Sequence, residues 1–209
     1  MIQSATGIIL RTRPLTETSV IVNWLTPDCG RISTVAKGAR RPKSPFAGKL
    51  DLFFLAEFSF TRSQRSELHA LREVKLKSLN SSLREDMGWL QHAAYCTRLI
   101  EQATETDTPL PSIYHLLYGV LENIPQHPAQ PQTIFAFELK FLHELGLAPD
   151  LDEIKLTPGT RQIVSALTNQ EWTMIARLKL SEAQTAELKR FLHGFLIFHL
   201  GRIPKGRPV

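Results

Sequence analysis

The chain has 209 residues, 43% of them hydrophobic and 22% charged, with a formal net charge of +5 and a pI near 9.4. That length holds one large domain or two small ones with a real core, and the composition is that of an ordinary globular protein. No apolar run reaches the roughly 18 to 20 residues that span a bilayer, no signal-peptide pattern opens the chain, and Cys29 and Cys96 are too few for a disulfide framework. The expectation is a protein off the membrane in a reducing cytoplasm, although one bridge between the two cysteines stays open.

In chain order, the first 79 residues read as strands. Residues 7–13, 19–25, 31–36 and 50–60 are β-branched or alternating runs bounded by turn residues, and 68–77 alternates more weakly. Five strands in under 80 residues do not easily leave both sheet edges open, so closure into a small barrel is the economical solution. An OB-type barrel is one such closure and an SH3-like barrel another. From residue 80 the period becomes helical. A helix over 82–104 puts Leu83, Leu90, Ala94 and Leu99 on one face, and a second over 112–123 stops at Ile124-Pro125. Residues 124–131 hold three prolines and read as a connector. A third helix over 133–145 carries Phe137, Phe141, Leu142 and Leu145 inside, with Gly146 at its C-terminal cap. Thr157-Pro158 opens a helix to about residue 167, and Ser181 with Gln184 forms a capping box for a last helix ending near Leu200-Gly201. The predicted class is α+β: a five-stranded OB-type β-barrel over 1–79, then an all-helical domain over 80–209.

Charge is uneven between these halves. Residues 1–79 hold 13 Lys/Arg against 6 Asp/Glu, whereas residues 80–209 hold 12 against 14. Between 31 and 49 stand Arg31, Lys37, Arg40, Arg41, Lys43 and Lys49 with no acid at all. A solvated loop accounts for such a run, and so does a polyanion site that releases counterions from a phosphate backbone. The segment is expected to be a flexible basic loop shaped by Gly38, Pro42, Pro45 and Gly48. Phe46 reads either as a ring for base stacking or as a plug at the barrel end, and Trp24 as a core residue.

Motifs for other chemistry are missing. There is no CxxC, and the seven histidines are scattered, so no metal is predicted. GxSxG, GxxxxGK[ST] and GxGxxG do not occur, and Cys96 reads as a small core residue. Asp150, Asp152 and Glu153 read as a solvated interhelical loop rather than a cation site. Neither an enzyme nor a cofactor is expected.

Three stretches resemble the bacterial DNA-repair family RecO: Gly7-Ile-Ile-Leu-Arg-Thr-Arg-Pro-Leu-Thr-Glu-Thr-Ser19 at the start, then Leu25-Thr…Gly30-Arg31, and Val35-Ala-Lys-Gly-Ala-Arg40. Phe137-Glu-Leu-Lys-Phe-Leu-His-Glu-Leu-Gly146 and the ending Leu200-Gly-Arg…Lys205-Gly-Arg207 continue the likeness in family order. The resemblance implies a recombination mediator that binds single- and double-stranded DNA and anneals complementary strands. With RecR, such a protein helps load RecA on DNA coated by single-stranded-DNA-binding protein, whose acidic C-terminal tail docks on the helical domain. It also implies a nucleoid-associated protein, and places Lys37, Arg40 and Arg41 on the family's basic motif. Many members carry a four-cysteine zinc module after the helix ending in Leu-Gly; the equivalent stretch here, residues 148–158, has no cysteine. The competing function is an adaptor whose helical domain captures an acidic peptide, with Phe137, Lys140 and Phe141 as anchor and DNA contact secondary. An RNA-binding barrel is a third reading, which the family likeness disfavours.

Overall fold

The computed structural model describes residues 2–209. Their contacts group into two compact units, residues 1–81 with 104–115, and residues 82–103 with 116–209.

The first unit is a closed barrel in the order β1-β2-β3-β5-β4, formed by β1 (Ile2–Pro14), β2 (Val20–Thr26), β3 (Gly30–Ala36), β4 (Leu55–Thr61) and β5 (Leu68–Ser78). This is the OB-type arrangement, a three-strand meander closed through a parallel β3–β5 pair. Closure depends on the length of β1. Residues Ile2 to Ile8 pair with β4 and Ile8 to Pro14 with β2, and the register slips between Ile9 and Arg11. A bulge there bends one strand so that it serves two neighbours. Only Ser33, Thr34 and Val35 join β3 to β5, so the seam is short. Burial alternates along β3 and β4, as a strand with one face on a core requires. Inside, Trp24 stacks on Phe58 at 4.0 Å and its indole N–H donates to Thr34 Oγ1 at 2.9 Å, so the one polar atom of the ring is satisfied.

The run expected as one strand over 50–60 is shorter in fact. Phe53 takes a positive φ of 68°, and the strand starts at Leu55. Three hydrogen bonds hold this unfavourable conformation: Phe53 N–H to Ile9 O, Ile9 N–H to Phe54 O, and Asn80 Nδ2 to Phe53 O, at 2.9, 2.9 and 2.7 Å. The Phe53 ring is buried in return.

Residues 104–115 belong to the barrel unit although they follow a helix of the other unit in sequence and include the first turn of the next helix. Asp107 N–H donates to Arg31 O at 2.9 Å and Leu110 N–H to Pro27 O at 3.3 Å, while Arg62 pairs with the Asp107 carboxylate. His69 is buried against Phe60, accepts from Ser63 N–H at Nδ1 (3.3 Å), and turns Nε2 toward Asp107 at 3.8 Å. Burial pushes this imidazole below its ordinary range, partly opposed by Asp107.

The helices are α1 (Met87–Ala103), α2 (Pro111–Asn123), α3 (Pro131–Glu144), α4 (Pro158–Asn169), α5 (Trp172–Ile175) and α6 (Glu182–Leu200). The helix expected from residue 82 starts at Met87, after a 3-10 turn at Ser81–Arg84. Asp86 stops it from starting sooner, because its carboxylate accepts the Trp89 N–H at 3.0 Å as an N-cap. Leu90 and Ala94 are half-buried, and the buried line runs instead through Ala93, Cys96, Leu99 and Ile100. The capping box at Ser181 and Gln184 is formed, and Gly146 and Gly201 take the left-handed conformation that ends α3 and α6. The short α5 has no counterpart in the sequence reading, since four residues hold no period. One core of the second unit joins Phe135, Leu139 and Leu142 of α3 with Val164, Leu167, Leu188, Leu192 and Leu196.

His92 is buried in α1, and burial holds it down at about 4. Its folded pKa lies below the unfolded value near 6.5, so stability present above pH 6.5 is lost as pH falls toward 4. The loss amounts to about 3 kcal/mol by pH 4. In urea unfolding at pH 7 and pH 4, the stability gap between the two conditions is expected to shrink by about that amount in His92→Leu. An unchanged gap would exclude His92 as a source of acid sensitivity.

Candidate nucleic-acid interface

Between β3 and β4 the chain makes a string of tight turns rather than a flexible excursion. Successive i→i+3 hydrogen bonds run from Arg41 N–H to Gly38 O, Ser44 to Arg41, Ala47 to Ser44 and Lys49 to Phe46, at 3.0–3.2 Å. Gly38 and Gly48 supply the positive φ at either end of the string. Two anchors fix it to the barrel. Arg40 N–H donates to Thr18 O at 3.0 Å, and the Phe46 ring is 6% exposed among the core residues Trp24, Phe54 and Phe58. Burial of the Phe46 ring fits the plug reading and leaves little of its face to a base.

The cations that this string presents are Lys37, Arg40, Arg41 and Lys43, all exposed, and Lys49, half-buried. Among the described residues none of the five pairs with a carboxylate. Arg31 does not join them. It lies on β3, and its guanidinium donates to the Thr104 carbonyl, so it ties residues 104–108 to the barrel rather than facing solvent. Sequence reading grouped it with the loop because it is near in number, whereas a strand separates them in space.

Two concavities flank the string. One, of about 490 Å³, is walled by Thr12, Arg13, Arg40, Gly48 and Asp51. It brings Arg13 of β1 to the side of Arg40, a juxtaposition that only barrel closure creates and that no spacing in the sequence announces. The other, of about 710 Å³, is lined by Ser4, Thr6, Lys49, Phe58, Arg72 and Lys75, but also by Asp28, Glu57 and Glu73. There Lys77 bonds Glu57 at 2.6 Å, and that hydrogen bond lowers the carboxyl below its usual range. The second concavity is therefore mixed in charge, and the acid-poor edge is the one running from Lys37 through Arg40, Arg41 and Lys43 to Arg13.

The residues expected to anchor a peptide do not form a surface. Phe137 and Phe141 stack on each other at 6.0 Å and are both fully buried. Lys140 donates to Thr168 O at 2.8 Å and lies 5.8 Å from the Trp172 ring centroid, with burial lowering its pKa. All three brace α3 within its own unit. Both cysteines are unpaired. Among the described residues no cluster of His, Cys, Asp or Glu is placed to hold a metal ion, and no helix is long and apolar enough to cross a membrane.

Comparison with known proteins agrees along the chain. Residues 1–80 match the family model for the N-terminal part of recombination protein O, and residues 84–154 the model for its C-terminal part. The DNA repair protein RecO of Exiguobacterium sibiricum is 26% identical over 208 residues, 97% of this chain and 82% of that protein. RecO of Listeria monocytogenes is 29% identical over 202 residues, 94% of this chain and 78% of the relative. Against RecO of an Anaeromyxobacter species identity is 31% over 147 residues, 70% of this chain and 58% of the relative. With an OB-type barrel followed by helices, and two family models matched in order, the chain belongs to the RecO family of DNA repair proteins.

Proposed function

We infer that the chain is a DNA-binding recombination mediator that works by holding phosphate backbones rather than by catalysis. The supporting observation is the pre-shaped string of turns that carries Lys37, Arg40, Arg41 and Lys43 outward, unpaired with acids, beside Arg13. Pre-ordering matters because phosphates then meet cations whose backbone is already fixed. No base-reading helix accompanies them, so single and double strands of any sequence are ligands. On this reading the protein anneals complementary strands and, with RecR, helps load RecA on DNA coated by single-stranded-DNA-binding protein. The partner contacts rest on family membership and involve neither Phe137 nor Phe141.

The test is DNA binding titrated against salt. Replacing Arg40, Arg41 and Lys43 with alanine is expected to flatten the log–log slope by about 2 and weaken binding at 0.1 M salt by at least roughly tenfold. Thermal stability should be unchanged, since all three side chains are exposed. A slope and affinity equal to the native chain's would remove the turn string as the site. Annealing of complementary oligonucleotides, with and without the coating protein, reads the mediator activity itself.

A further inference from the structure

From Leu188 to Val209 the chain has no Asp or Glu, five Lys/Arg and two His, a second acid-free run that the barrel's reading leaves unused. Part of it is structural. Arg207 is bound to Glu138, and Lys189 reaches the Val209 carbonyl. The rest faces solvent: Arg202 and Lys205 are exposed, and the Arg98 guanidinium of α1 lies beside Gly206 in the same tail. In the same acid-free run, a chain of rings on α6 leads from the core, where Phe191 and Phe195 pack, out to solvent at Phe198. Phe191 touches Phe195 at 5.4 Å, Phe195 touches His199 at 4.3 Å, and His199 meets Phe198 edge-on at 4.9 Å. Phe198 is 83% exposed and its neighbour Ile197 41%. A single exposed ring needs no explanation. An exposed ring at the end of an aromatic ladder, inside a cationic stretch without acids, has the composition of a single-strand contact, where cations track phosphates and rings stack on bases.

We propose that this end of α6, with Phe198 as stacking platform and Arg202, Lys205 and Arg98 as phosphate contacts, is a second single-stranded DNA site, on the helical unit. It rests on the reading of the chain as DNA-binding but uses none of the barrel's residues. An acidic apolar peptide shares the charge, but peptide anchors are recognised by burial in a pocket. Phe198 protrudes, and a base needs only its face. Two sites on one chain would let it hold two strands at once, which annealing requires.

The experiment uses the full chain and a labelled oligo(dT). Phe198→Ala with Arg202→Ala and Lys205→Ala is expected to weaken binding roughly tenfold, and to abolish what binding survives in the Arg40/Arg41/Lys43 alanine variant. Phe198→Trp adds a readout independent of affinity, since stacking on oligo(dT) should quench the new exposed tryptophan. If only the barrel variant loses DNA, the turn string stands and the α6 site falls. If only the α6 variant loses it, the reverse holds. Unchanged oligo(dT) affinity together with lost binding of an acidic apolar peptide would make this a peptide surface and overturn the proposal.

Discussion

Replacing Arg207 with alanine is expected to destabilise the protein by about 3–5 kcal/mol, because it strands a carboxylate in the interior. Glu138 is fully buried on α3. Arg207 Nε and Nη2 donate to its two oxygens at 2.7 and 2.5 Å, and Tyr95 OH donates to Oε1 at 2.5 Å. Arg207 also donates to Lys189 O at 3.1 Å and lies 5.7 Å from the Phe135 ring centroid. Burial pushes the Glu138 carboxyl up, and Arg207 is the main group opposing it. Without Arg207, the raised folded pKa means that the protonated form fits the fold. The deficit of Arg207→Ala should therefore be full above neutral pH and shrink as pH falls toward 5. Urea unfolding at pH 8 and pH 5 reads both effects. In the double variant Glu138→Met with Arg207→Met most of the loss should return, as apolar replacement of a whole buried pair is often neutral. A loss under about 1 kcal/mol in Arg207→Ala would mean that the pair carries no such weight.

That clamp explains two stretches that carry the family resemblance. The Glu of the Phe137-Glu138-Leu139 segment and the last Arg of the closing segment are the two ends of one buried ion pair, 69 positions apart. No periodicity links them, yet one signal was legible. Glu138 stands on the same helical face as Ile134, Phe141 and Leu142, and a carboxylate among apolar positions calls for a partner. Barrel strands were readable because a half-buried strand must alternate, and the capping box because Ser181 and Gln184 are local to each other. The turn string was visible as charge but not as shape. Whether Phe46 faced a base or the core depended on barrel closure, as did the meeting of Arg13 with Arg40. The exposed end of α6 went unread because Phe191 and Phe195, which pack on the core, look the same in sequence as Phe198, which leaves it.

Gly30→Ala is expected to cost about 3 kcal/mol, from a left-handed backbone forced on a side-chain-bearing residue and from overpacking. Gly30 has φ +65°, and a Cβ built there would lie 1.7 Å from the Thr108 carbonyl oxygen. That neighbour is backbone, so no rotamer escapes the collision; residues 104–108 must lift away. Lifting them breaks the Asp107 N–H bond to Arg31 O and separates Asp107 from Arg62. Gly48→Ala is the control: φ is +70° but nothing lies within 4 Å, so only the conformational cost of about 1 kcal/mol applies. Urea unfolding and hydrogen exchange at the Asp107 amide should both separate the two variants. Equal losses would show that the close approach at Thr108 carries no energy. The same pair tests the division of labour within the barrel. Gly30 begins β3 and Lys37 follows its end, about 23 Å away along a seven-residue rise. A lifted 104–108 segment should therefore lower stability and leave the salt slope of DNA binding as it was, since the turn string proposed to set that slope is held by Phe46 and Thr18 instead.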